Sequence, residues 1–318
     1  MIWEVMEMHG RNDIAQVAVL ASRERPLGYW VECADTRDPR YPRSEKWCVI
    51  LSSQFGCPVR CTLCDAGSEY RGDLSAEEIL GQVDWAMERH RLDGGWACPK
   101  IKVHFARMGE PSLNPAVLDA LRALPGRYPG VRFLPVVATI APVASASWFD
   151  ALLRLKDEQY SGGAFQLQFS VNSTDEKVRD TIMPARKWTL RDIARFGERW
   201  WRPGDRKVTL NFALAESIPF DPETLTALMD PDRFLVKITP VNPTASTRKH
   251  GLKSMLSFEG CSPAGPLSEA ATYLRHRGLE VLFSIGSPEE IRIGSNCGQL
   301  VWTRTQRWER FSGRPADA

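Results

Sequence analysis

Short β-rich runs alternate with longer stretches whose apolar residues recur every three to four positions, from residue 46 onward. The runs predict strands at Cys48–Ser53, Ile101–Ala106, Leu134–Thr139, Phe165–Val171, Lys207–Leu214, Phe234–Thr239 and Glu280–Ser284. The periodic stretches predict helices at Ser75–His90, Pro115–Leu124, Ala146–Leu155, Leu190–Trp200, Pro222–Met229 and Pro266–Arg277. Ser75-Ala76-Glu77-Glu78 has the form of a capping box, opening the first of these helices. Strands separated by helices argue for a parallel sheet with right-handed crossovers. About six such units predict an α/β fold, a partial (β/α)6 barrel with its chemistry at the C-terminal ends of the strands. Ahead of it, Ile14–Ala21 and Leu27–Cys33 read as a β extension, followed by the polar connection Asp35–Ser44. The expected organisation is therefore an N-terminal β extension over 1–45, a core barrel over 46–300 and a C-terminal tail over 301–318.

Composition narrows the class without naming a function. The chain has 318 residues, is 43% hydrophobic and 25% charged, and carries a formal net charge of +2. A dedicated nucleic-acid binder shows a basic excess or stripe; only Arg304, Arg307, Arg310 and Arg314 form a mildly basic group here. No apolar run approaches the ~20 residues of a membrane-spanning helix, and Met1-Ile2-Trp3-Glu4-Val5 lacks the features of a signal peptide. Eight cysteines without an export signal fit reduced thiols and a metal site better than a disulfide framework. A cytoplasmic protein with no membrane partner is expected.

The segment Cys57-Pro58-Val59-Arg60-Cys61-Thr62-Leu63-Cys64 changes the picture. It places three thiols at C-x3-C-x2-C spacing just beyond the first predicted barrel strand. Three soft ligands can hold three corners of a [4Fe-4S] cluster, and since such clusters normally take four thiolates, the fourth iron stays open to a small molecule. Zinc would call for a fourth Cys or His at matching spacing, and no His occurs between His9 and His90.

This spacing resembles the radical S-adenosylmethionine (SAM) superfamily, in which SAM fills the open site. Further segments resemble one branch of it, the RlmN/Cfr-type ribosomal RNA adenine methyltransferases. They are Ser52-Ser53-Gln54-Phe55-Gly56-Cys57, Met108-Gly109-Glu110-Pro111, Phe169-Ser170-Val171-Asn172, Pro240-Val241-Asn242-Pro243 and Cys297-Gly298-Gln299-Leu300. The resemblance runs from about Glu32 to Leu300. It implies that Cys57, Cys61 and Cys64 ligate the cluster and that Gly109 and Glu110 meet the SAM amino group. Thr139, Ser170, Asn172 and Asn242 fall where the family contacts SAM, Glu32 where it has a proposed general base, and Cys297 where it has a methyl-carrying thiol.

In the family, one SAM methylates the late cysteine, and a second is cleaved to a 5′-deoxyadenosyl radical that takes hydrogen from the S-methyl group. The carbon radical adds to the substrate, and a second cysteine ahead of the cluster releases the product through a disulfide. An electron donor such as flavodoxin or ferredoxin is implied.

The chain departs from this pattern in four places. Ile50 stands where the second cysteine is expected, with Cys48 and Cys33 as substitute thiols; Cys33, Cys98 and Cys261 otherwise read as buried structural cysteines. Asn172 stands where the family generally has His. The stretch before the barrel is shorter than the family's accessory domain. Arg107 and Asp65 bring charge toward the site: each reads as a salt-bridged or solvated charge, with a second reading for Arg107 as an anchor for a carboxylate or phosphate of the substrate.

The resulting expectation is a methyltransferase-like radical SAM enzyme using Cys297 to methylate an unreactive carbon of a small natural-product or nucleotide-like molecule. Three alternatives stay open: an RNA adenine methyltransferase using Cys48, an enzyme that takes hydrogen directly from its substrate, and a non-catalytic cluster-binding protein.

Overall fold

A ten-stranded sheet organises the protein. The structure, a computed structural model, describes the chain apart from residues 38–40, 68, 93–94, 97, 99, 257–264, 287, 294–298 and 313–318, with side chains left undescribed at 92, 95, 96, 299 and 307–312. The strands are β1 (Trp3–Arg11), β2 (Ala15–Ser22), β3 (Trp30–Arg37), β4 (Trp47–Leu51), β5 (Lys100–Phe105), β6 (Arg132–Thr139), β7 (Gln166–Ser170), β8 (Val208–Leu214), β9 (Phe234–Pro240) and β10 (Glu280–Phe283). They lie side by side in chain order. From β1 to β4 the pairing is antiparallel; from β4 to β10 it is parallel. The parallel part is the expected partial barrel.

Helices cover its outer face: α1 (Ala76–Arg89), α2 (Ala116–Arg127), α3 (Ala146–Gln159), α4 (Glu176–Ile182), α5 (Leu190–Trp200), α6 (Pro222–Leu228), α7 (Ala245–Lys249), α8 (Pro266–His276), α9 (Pro288–Arg292) and α10 (Gln299–Ser312). The capping box at Ser75 and Glu78 is formed in both directions. The strands alternate. In β9, Phe234, Val236 and Ile238 are buried while Leu235, Lys237 and Thr239 are half-buried. The buried set packs on the helices and the other set faces the hollow of the barrel, as a side-chain period of two requires. Aromatic rings fill the outer layer: Phe149 of α3 lies 4.4 Å from Trp188 and 5.3 Å from Phe196 of α5, centroid to centroid. Among the described residues no helix is long and apolar enough to cross a membrane.

Two features extend the sequence expectation. Trp3–Arg11 forms an outer strand ahead of the two predicted for the extension, and β3 joins directly to β4, so the extension continues the barrel sheet. The segment expected as a tail begins within α10, whose Val301, Trp302 and Thr305 line a small crevice with Asp65 and Ala66 of the cysteine loop.

Candidate functional site

The three cysteines leave the sheet at the C-terminal end of β4. The chain turns through Gln54–Phe55, which pairs with Gly72–Asp73, and reaches Gly56, whose φ of +77° is a glycine conformation. A Cβ there would sit 1.4 Å from the Glu69 carbonyl oxygen, so no other residue fits. The loop is tied down on both sides. Thr62 N donates to the Ile182 carbonyl at 2.9 Å, and Asp65 accepts from Ala245 N at 3.0 Å and Ser246 N at 2.7 Å. Asp65 is thus a buried backbone acceptor.

Cys57, Cys61 and Cys64 are outside any disulfide and line one cavity of about 330 Å³ together with Gly109, Glu110, Thr139, Ser170 and Asn172. Burial pushes the Cys57 thiol up to about 12 and raises Cys61 well above its ordinary value, with neighbouring cysteine charge adding to both. Thiolates here need a compensating positive charge, which a bound iron cluster supplies. Among the described residues no three His, Cys, Asp or Glu side chains gather around one point as a single ion needs; an iron–sulfur cube takes each thiolate on its own iron. Three soft donors, outside disulfides and on one cavity wall, fit a [4Fe-4S] cluster.

Opposite the cysteines, Gly109 has φ of +99°, and a Cβ on it would meet Ser53 Oγ at 2.6 Å. Glu110 is buried. Its carboxylate accepts from Ser112 N at 3.1 Å, Ser112 Oγ at 2.7 Å, Ile140 N at 2.9 Å and the Thr139 hydroxyl. Burial raises its pKa, and these hydrogen bonds pull it back. Asn172 adopts φ of +60°, a left-handed conformation that Asn tolerates. Its Oδ1 accepts from Ala213 N at 3.0 Å and its Nδ2 donates to Met183 Sδ at 3.4 Å. Asn242 stands apart from this group. It lines an adjoining cavity of about 430 Å³ with Ile50; Leu63, Asn211, Ala213 and Thr239 line both cavities.

Glu32 is placed differently from the expected general base. It is fully buried, its Oε2 is paired with Arg107, and its Oε1 accepts from Leu300 N at 2.8 Å and Val301 N at 2.9 Å. Both oxygens are committed to holding Arg107 and the first turn of α10, where a carboxylate also meets the favourable end of the helix dipole. Among the described residues Glu32 is not part of the lining of the cysteine cavity, where a general base was expected. Arg107 is the salt-bridged charge of the two alternatives. Cys297 and Cys261 lie outside the described residues. Cys33 faces α1, donating to the Gln82 carbonyl at 3.8 Å, and burial raises its pKa; Cys98 is likewise buried. Cys48 is half-buried beside Lys102 on β5, its pKa raised by burial.

Sequence reasoning missed His104, Gln168, Asn211 and Lys237, which line the same cavity below the cysteines. Their signal was present as polar residues two apart inside strands, Lys102/His104, Gln166/Gln168 and Lys237/Thr239.

No family model matches the chain. A probable dual-specificity RNA methyltransferase RlmN of Frankia alni is 29% identical over 271 residues, covering 82% of this chain and 60% of the relative. The protein of the same description from Chlorobaculum tepidum is 28% identical, with 82% and 66% covered. The ribosomal RNA large subunit methyltransferase N of Nitrosopumilus maritimus is 27% identical, with 82% and 68% covered. The chain thus spans about 60% to two thirds of the length of these relatives. In fold it is similar to the crystal structure of a radical SAM methyltransferase from Sphaerobacter thermophilus, with a TM-score of 0.69 at 20% identity, covering 94% of this chain and 81% of that one. The chain is therefore related in sequence to the RlmN methyltransferases and shares the fold of a radical SAM methyltransferase.

Proposed function

We propose that the protein is a cytoplasmic radical SAM enzyme of methyltransferase type acting on a small molecule. The observation that carries the reading is the meeting of Cys57, Cys61 and Cys64 with Gly109 and Glu110 on the walls of one cavity. In this reading the three cysteines hold three irons of a [4Fe-4S] cluster and leave the fourth for SAM. When bound, the cluster supplies the electron that cleaves SAM to a 5′-deoxyadenosyl radical. Gly109 lets the backbone close against Ser53 and Gln54 at the cavity wall. Glu110, held by Ser112, Thr139 and Ile140, presents a fixed carboxylate to the SAM ammonium, with Ser170 and Asn172 beside it. Asn242 acts from the adjoining cavity.

Cys297 is the methyl carrier in this proposal, and Glu32 positions the helix that begins two residues after it. The net charge of +2 is modest for a nucleic-acid binder. The names of the relatives favour a second reading, methylation of RNA; Cys48, half-buried beside Lys102, is then the substitute thiol. In both readings reduced thiols and a reductant such as flavodoxin or ferredoxin are required, which places the protein in the cytoplasm.

The test is anaerobic incubation with SAM and reductant, followed by quantification of 5′-deoxyadenosine and peptide mass mapping at residue 297. Formation of 5′-deoxyadenosine together with a one-methyl mass gain, absent in Cys297→Ala, is expected. Cleavage without the mass gain would remove the methyl-carrier role. Absence of cleavage in protein with full iron content would remove the enzyme reading.

A further inference from the structure

The hollow of a (β/α) barrel is usually filled by Val, Ile and Leu, yet here its lower part is polar and cationic. Lys237 projects into the cavity from the middle of β9, next to Asn211 on β8 in the sheet register. His104 of β5 and Gln168 of β7 line the same space. Lys102 sits two residues before His104 and two positions down the same strand face.

Three observations show that these groups are prepared for something the protein itself does not supply. First, among the described residues no carboxylate lies within ion-pair distance of Lys237, while buried or half-buried Lys156 and Lys187 each have an aspartate. Second, Nε2 of His104 and Oδ1 of Asn211 are buried without a hydrogen-bond partner, although buried polar atoms are nearly always satisfied. Third, Lys102 acts on Lys237 as a second positive charge, so the local field favours an anion. A lone buried cation is costly unless paired, and Arg107, the other cation at the cavity, is already matched by Glu32.

We propose that the floor of the cavity binds the anionic group of a small-molecule substrate, a carboxylate or phosphate, through Lys237, with His104 and Asn211 hydrogen-bonding to the same ligand. His104 is kept neutral by burial and by the two nearby lysines, so one ring nitrogen donates and the other accepts. Asn211 Oδ1 accepts a hydroxyl or N–H of the ligand. Lys237 therefore fixes the charged end of the substrate deep in the barrel and leaves its other end toward the cysteine loop. This inference rests on the small-molecule reading above and names the class of molecule.

The experiment titrates the full-length, iron-loaded protein with inorganic phosphate and, separately, with acetate, at constant ionic strength kept with chloride. Binding is read by calorimetry and by the shift in thermal midpoint. Saturable one-site binding of at least one of the two anions is expected, and which one binds distinguishes phosphate from carboxylate. Lys237→Met should weaken it at least tenfold, and Lys237→Arg should retain it. Equal binding to wild type and Lys237→Met, or no binding of either anion to wild type, would overturn the proposal. So would full displacement of the anion by SAM, which would assign Lys237 to the carboxylate of the cofactor. The outcome is separable from the enzyme reading: 5′-deoxyadenosine formation without anion binding removes only this proposal, and anion binding without 5′-deoxyadenosine removes only the radical chemistry.

Discussion

Replacing Lys237 with methionine is expected to stabilise the protein at neutral pH. Burial and the charge of Lys102 lower Lys237 from 10.5 to about 8. At about 1.36 kcal/mol per pH unit, that depression corresponds to roughly 3 kcal/mol by which the fold disfavours the ammonium. The sign follows from proton linkage. Between about 8 and 10.5 the unfolded chain binds more protons at this position than the folded one, so stability rises with pH across that window. Below about 8 both states carry the charge and the full penalty stands. Methionine has similar length and no charge, so Lys237→Met should gain about 3 kcal/mol at pH 7, or roughly 4–5 °C in thermal midpoint for a chain of 318 residues. The gain should shrink to that of an apolar exchange by pH 10.5. Urea denaturation of both proteins at pH 7 and pH 10.5, in a buffer free of phosphate and carboxylates, measures it. A variant no more stable than wild type at pH 7, or a gain unchanged at pH 10.5, would refute the claim that Lys237 is a half-buried cation without an ion-pair partner among the described residues.

Three other perturbations test the frame around the site. Glu32→Leu leaves Arg107 buried beside an empty acceptor position and frees the first turn of α10, and should cost about 3–5 kcal/mol in urea denaturation. Adding Arg107→Met should recover much of that loss, whereas equal stability of the single and double variants would show that the pair is not coupled. Gly56→Ala puts a methyl group against the Glu69 carbonyl at a positive φ, and should cost at least about 1–3 kcal/mol and lower the iron content; a wild-type melting profile and iron content would contradict the steric argument. Single Cys→Ser changes at 57, 61 and 64 should each reduce iron per chain and SAM cleavage, measured by metal analysis and product quantification, and full iron retention in any one would exclude that residue as a ligand.

Much of the frame could be read from local signals. The strands of the barrel carry runs of Val, Ile, Leu and Phe flanked by turn residues, and Ser75 with Glu78 marks a helix start within four residues. Contacts between distant segments left no such mark. Glu32 could be read as a base because nothing near it in the chain shows that Arg107 and the amides of Leu300 and Val301 take both oxygens. The strand Trp3–Arg11 escaped notice because its apolar Val5 and Met8 point to solvent at the sheet edge, 43% and 44% exposed, and blur the alternation. Lys237 and His104 were passed over because polar residues two apart in a strand ordinarily mean a solvated face. Only closure of the sheet turns that face inward. The stretch after residue 300 was taken for a tail since Arg304 and its neighbours suggest solvent, but Arg304 lies over the Trp30 ring at 4.8 Å.

The hydrogen bonds from Leu300 and Val301 to Glu32 join positions separated by 268 and 269 residues. At synthesis rates of about 5–20 residues per second, Glu32 exists for roughly 15–50 s before its helix partner is made. During that interval Glu32 can already pair with Val19 in the sheet, accept from Ser52 Oγ at its carbonyl and meet Arg107, 75 residues away, with its carboxylate. Docking of α10 beside the cysteine loop therefore waits for the end of synthesis, whatever the barrel has formed by then. A chain cut short before residue 300 would lack both amides that Glu32 accepts and the α10 side chains that line the crevice with Asp65 and Ala66, so the cysteine loop would lose that neighbour.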